Sequence, residues 1–151
     1  MRRGLGALWI WLRWLLVAPL GAGGFWVALA VGLTLFGWAF RLCPPEDVVS
    51  GLCGAAWFEA ATVFAGCVGA AVGAAWTVAL PAWVAPRGRA RVAWLMYALG
   101  ALFSVGFVLE PFVRRPQHRL SDVPTLVWAS ALVALGVGAA VAASLSRRWG
   151  R

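Results

Sequence analysis

The chain reads as an all-α integral membrane protein: four transmembrane helices in an antiparallel bundle, led in by a short interfacial helix. The first observation behind this is four long apolar segments. Residues 14–40, 55–84, 92–113 and 123–145 carry Glu59 and Glu110 as their only charges. A helix rises about 1.5 Å per residue, so ~20 apolar residues cross a ~30 Å hydrocarbon layer. The second is composition. With 63% hydrophobic and 12% charged residues, the chain has more apolar surface than a soluble domain of 151 residues can bury. The third is the placement of Trp and Arg at the ends of the apolar segments, where membrane proteins meet headgroups.

Residues 4–18 hold Trp9, Trp11 and Trp14 around Arg13. Trp prefers the interface and Arg the headgroups, so this stretch is expected to lie as a short interfacial helix. Pro19, Gly21, Gly23 and Gly24 would break or bend the chain before a first span over residues 20–41. One long tilted helix from about residue 9 is the alternative. Arg13 interrupts the apolar run and no small-x-small cleavage site follows it, so the segment is expected to be retained rather than removed as a signal. The second span covers residues 55–83, ending near Pro81 and Pro86; the third covers 92–113; the fourth starts around Pro124 and covers 123–146. The connections are short and make sequential helices antiparallel neighbours. Nearly every residue is used, so residues 1–151 form one domain.

The net charge of +8 comes from 13 Arg against 5 acidic residues. Arg2, Arg3, Arg13, Arg87, Arg89, Arg91, Arg147, Arg148 and Arg151 fall on one side of the predicted topology. Arg41, Arg114, Arg115 and Arg119 fall on the other. The positive-inside rule then puts both termini and the middle loop in the cytoplasm. Trp38 and Trp57 mark the outer rim, and Trp83, Trp94 and Trp149 the inner one. No basic stripe sits on a foldable soluble element, so nucleic acid is not expected as a partner.

Cys43 and Cys53 bracket the first external loop. Ten positions apart in an oxidising compartment, they are expected to form a structural disulfide. A redox-active pair is the alternative, though such pairs favour a close Cys-x-x-Cys. Cys67, mid-span among small residues, reads as inert packing.

In the second span Glu59, Thr62, Gly66, Gly69, Gly73 and Thr77 recur every three or four residues and so share one helix face. Gly69-x-x-x-Gly73 is the small-x-x-x-small pattern that lets membrane helices approach closely. Gly24, Ala28 and Gly32 in the first span offer a partner surface, as do Ala134, Gly138 and Ala142 in the fourth. This face reads as a packing or partner seam; the alternative is a polar path with Glu59 at its outer mouth.

Glu110 precedes Arg114 by one turn, a candidate ion pair, although Pro111 perturbs that turn. Arg114, Arg115, His118 and Arg119 form an external basic patch. It could meet an acidic partner, an anionic headgroup, or the acidic residues on its own side. One His and no Cys/His ligand spacing exclude a bis-His haem or a zinc site. No nucleophile–base pair or phosphate loop is present, so no catalytic residue, no metal, no cofactor and no enzymatic activity are expected.

The function expected is that of a non-catalytic accessory or stabilising subunit of a larger membrane complex, with the lipid bilayer and other membrane subunits as partners. Two alternatives stand beside it. One is a small homo-oligomeric transporter or channel using Glu59 or Glu110. The other is a redox membrane protein using Cys43 and Cys53. Arg-only, Ala/Gly-rich usage suggests a bacterial inner membrane.

Overall fold

The computed structural model describes residues 2–49, 51–114 and 124–149, with backbone alone at 2–8 and 111–114. Among these residues the chain forms four long helices: α1 (Arg2–Arg41), α2 (Ala56–Val84), α3 (Arg89–Arg114) and α4 (Thr125–Trp149). Each contains a stretch long and apolar enough to cross a membrane: Trp9–Arg41, Ala56–Val84, Arg89–Glu110 and Thr125–Trp149. By length and composition the four helices fit a helical multi-pass membrane bundle.

The expected division between an interfacial helix at 4–18 and a span at 20–41 is not present. α1 is one helix of 40 residues that runs through Pro19. Packing on either side of the proline accounts for this. Before it, the Arg13 side chain is tied to the end of α2. Just after it, Gly21 sits against Met96 and Pro81, and Gly24 against Thr77 and Gly73. These contacts hold the helical path across the missing N–H, a defect that membrane helices tolerate when neighbours take up the freed groups. Residues 2–12 continue past Arg13, about 16 Å of helix beyond the level where α2 ends.

The helix ends are set by local chemistry. The α2–α3 connection turns on Gly88, whose φ of +65° lies in the left-handed region, and Val92 N–H donates to Gly88 O at 3.0 Å. α3 accordingly starts at Arg89, earlier than the apolar run at 92 suggests. α4 extends to Trp149 with Arg147 and Arg148 in its last turn, where positive charge complements the helix dipole.

α2 is the central element. It packs against α1, α3 and α4. The pairing of positions gives the directions. Gly24 lies beside Gly73 and Gly69 beside Gly32, so α1 and α2 are antiparallel. Gly66 lies beside Leu126 and Ser130, and Ala74 near Gly138, so α2 and α4 run parallel. The bundle is thus up-down-up-down.

Its interior is built from small residues. Val78, Ala82, Ala93 and Ala142 form one buried cluster, flanked by Tyr97, Val141, Leu145 and Trp149. Ala85, Val92 and Met96 form a second, flanked by Val17. At the opposite end Phe58 is buried, with ring contacts to Phe36 at 5.6 Å and Phe40 at 6.2 Å. Large side chains such as Trp26, Phe64, Leu102 and Leu132 point outward. In lipid this is the expected arrangement: small residues let backbones close up, and tails solvate the large ones.

Candidate functional site

The face of α2 that carries Glu59, Thr62, Gly66, Gly69, Gly73 and Thr77 is divided between two neighbours. Gly69 and Gly73 meet α1. A Cβ at Gly69 would stand 2.6 Å from Ala28 O, and one at Gly73 2.6 Å from Ala28 Cβ and 2.8 Å from Gly24 O. Gly66 instead faces Leu126 and Ser130 of α4. The division follows from the central position of α2, whose one face reaches both partners. From the other candidate residues on α4, Gly138 lies against Tyr97 and Ala142 is buried in the first cluster.

The two threonines of this face bond to backbone. Thr77 Oγ1 donates to Gly73 O at 2.8 Å, with Gly21 O of α1 at 3.3 Å. Thr62 Oγ1 donates to Glu59 O at 2.7 Å. Other hydroxyls in the spans do the same: Thr34 to Ala30 O, Ser104 to Gly100 O and Ser130 to Leu126 O. Bonding to the carbonyl three or four residues back satisfies a hydroxyl within its own helix. Glu59 is exposed in the first turn of α2, where a carboxylate complements the positive helix end.

Cys43 and Cys53 are bridged, with Cα atoms 6.0 Å apart. The loop between them is ordered by its own backbone. A 3-10 turn at Pro45–Asp47 leads into strand β1 (Val48–Val49), which pairs antiparallel with β2 (Leu52–Cys53), Val48 opposite Cys53 and Val49 opposite Leu52. Gly51, at φ +79°, supplies the left-handed residue of the turn. Gly54 N–H closes the loop onto Asp47 O at 2.8 Å. Val49 and Leu52 are exposed at the tip. Cys67 is a free thiol, half-buried in α2.

Glu110 is exposed on α3. The proposed partner side chain at Arg114, and Arg115, His118 and Arg119 of the basic patch, lie outside the described residues. Among the described residues, no group of three or more His, Cys, Asp or Glu converges as a metal site would require.

A second constellation lies where α2 ends. Arg13 Nε of α1 donates to Val84 O at 2.8 Å. Arg89 Nε of α3 donates to Ala85 O at 3.2 Å, and its guanidinium stands 5.4 Å from the centroid of the Trp149 ring. The last carbonyls of a helix have no partner within it and carry its negative partial charge, which draws both guanidinium groups to one point. Between them opens a groove of ≈ 600 Å³ lined by Trp9, Arg13, Leu16, Trp83, Val84 and Arg89. Sequence reasoning assigned Arg89 to a charge tally, and Arg13 to that tally and to headgroup contact within residues 4–18, and it joined neither to a site. Three segments far apart in the chain converge here, and no local spacing reveals it; the one available hint is that each Arg sits within four residues of a Trp or a predicted helix end.

No protein-family model, curated protein or solved structure matches this chain.

Proposed function

We propose that the protein is a small non-catalytic subunit of a larger membrane complex, residing in a bacterial inner membrane with both termini in the cytoplasm. The observation that carries this reading is the closure of the bundle interior. α1 and α2 meet at backbone-contact distance through Gly69 and Gly73, and the span hydroxyls bond back into their own helices. A single copy therefore presents no row of free polar groups along α2 for a substrate to follow. What it presents outward is apolar: broad faces bearing Trp26, Phe64, Leu102 and Leu132, and a disulfide-closed hairpin with Val49 and Leu52 exposed. Such surfaces suit lipid and neighbouring helices rather than chemistry.

The test is purification of a tagged full-length copy from its own host in mild detergent, followed by native mass spectrometry. A larger membrane protein retained at fixed stoichiometry is the expected result. A clean homo-oligomer that drives ion or solute flux in liposomes would overturn the reading and move transport forward, with Glu59→Gln as the first variant to assay.

A further inference from the structure

The groove at the end of α2 is lined by two arginines. Arg13 and Arg89 come from different helices, and each spends its Nε–H on a carbonyl of the α2 terminus, at 2.8 and 3.2 Å. A guanidinium has five N–H donors in a fixed plane, so each retains four on its two terminal nitrogens. The anchoring bonds orient those planes, and both side chains line the same ≈ 600 Å³ groove. Arg89 is further fixed by Trp149 beneath it.

The charge here is not balanced. Two full positive charges face a helix C-terminus worth about half an elementary negative charge. The four acidic residues with described positions, Glu46, Asp47, Glu59 and Glu110, belong to the opposite end of the bundle: the hairpin, the first turn of α2 and the last part of α3. Four further arginines at the near end, Arg87, Arg91, Arg147 and Arg148, are exposed and add positive potential. A pair of preorganised guanidinium groups in such a field selects a phosphate, which accepts bidentate hydrogen bonds from each.

The walls say what else the ligand carries. Trp9, Leu16 and Trp83 are apolar and exposed, at 61%, 43% and 67% of their full accessible surface. They line the groove on the sides of α1 and α2 that face outward from the bundle. The groove also sits at the level where α2 stops and α3 begins, the depth of headgroups rather than of tails. From these observations we infer that Arg13 and Arg89 form a binding site for the phosphate of one anionic phospholipid, whose headgroup lies beside Trp9 and whose acyl chains run along Leu16 and Trp83. The same phosphate chemistry is offered by a soluble phosphate ion, and the test separates the two.

The full chain is purified in a mild detergent and titrated, in native mass spectrometry, with phosphatidylglycerol, with phosphatidylcholine and with inorganic phosphate. The expected result is one phosphatidylglycerol per chain, preferred over phosphatidylcholine. Arg13→Gln and Arg89→Gln each weaken it about tenfold or more, as the loss of a charge-assisted contact implies. Arg147→Gln, at the same end but outside the groove, removes only a screened, exposed charge and weakens it by less than about threefold. A second measurement needs no variant: phosphatidylglycerol bearing a photoreactive acyl chain, cross-linked to the wild-type protein, marks peptides containing Leu16 or Trp83. Equal binding of the two lipids, equal loss in Arg147→Gln, cross-links scattered over the exposed faces of α3 and α4, or inorganic phosphate binding with no lipid preference would each overturn the proposal.

Discussion

Gly73 shows how little room the α1–α2 seam leaves. A methyl group there would press on Ala28 Cβ at 2.6 Å and on Gly24 O at 2.8 Å, and neither can rotate away, because one is bonded directly to the backbone and the other belongs to it. Gly69 is equally confined by Ala28 O at 2.6 Å and Gly32 N at 3.1 Å. Gly66 differs, since its nearest neighbour is the flexible end of Leu126. Gly136 has nothing within 4 Å. Between membrane helices there is no hydrophobic drive to offset a lost fit, so close packing itself holds the pair. Gly69→Ala and Gly73→Ala are therefore expected to destabilise the bundle by about 1–3 kcal/mol, the usual range for overpacking. Gly66→Ala should have a smaller effect. Gly136→Ala should be neutral or stabilising by about 0.5–1 kcal/mol through helix propensity. Thermal unfolding in detergent, followed by the loss of monodisperse protein, ranks the four variants. A Gly73→Ala protein as stable as Gly136→Ala would remove the seam from the list of what holds the fold.

At the scale of elements, the hairpin between α1 and α2 depends on its cross-link more than on its two short strands. Two residue pairs of sheet are marginal in water. Closing a loop of ten residues contributes about 3 kcal/mol in the loop-entropy account, a model-dependent figure. Replacing both Cys43 and Cys53 by Ser is expected to lower stability by about 2–3 kcal/mol and to open the hairpin to proteolysis between Pro44 and Gly54. Limited proteolysis of wild type and double variant, with and without reductant, checks this; identical cleavage in all four would show that backbone pairing suffices. The disulfide and the helices, though not the hairpin strands, were legible in the sequence for simple reasons. Two Cys in an otherwise charged and proline-rich connection admit few arrangements, and apolar runs past ~20 residues admit fewer. The continuity of α1 was not legible. Pro19 and three glycines within the next five positions read locally as a break, and only the fit of Gly21 and Gly24 against α2 and α3 reverses that reading. The Arg13–Arg89 groove was hidden for the same reason: residue 13, the segment 83–89 and residue 149 become neighbours only once the four helices are packed.

At the scale of the whole molecule, charge divides the bundle into unlike ends. Arg13 is held to the α2 terminus, and Arg89 stands over Trp149 in the last turn of α4. These contacts bring the α2–α3 turn with Arg87, Arg89 and Arg91, the α4 end with Arg147 and Arg148, and residue 13 of α1 to one end. Arg2 and Arg3 extend from that end on α1. The other end holds Arg41, Glu46, Asp47, Glu59 and Glu110 together with the disulfide. Translocating an arginine-rich segment against the membrane potential is unfavourable by about 2.3 kcal/mol per charge per 100 mV, so insertion leaves such an end in the cytoplasm. The proposed orientation can be read with fusions at the C-terminus, next to Trp149. A fluorescent protein that matures only in the cytoplasm should glow there, and a phosphatase that folds only after export should be inactive. The same pair placed at Gly51 should give the opposite result. The disulfide supplies a check within the native chain, since in intact cells Cys43 and Cys53 should resist a thiol reagent until a membrane-impermeant reductant is added outside. Fluorescence lost at the C-terminus with phosphatase activity gained there would invert the topology. It would also place the Arg13–Arg89 groove against the outer leaflet, where lipid analysis of that leaflet would decide which headgroup it meets.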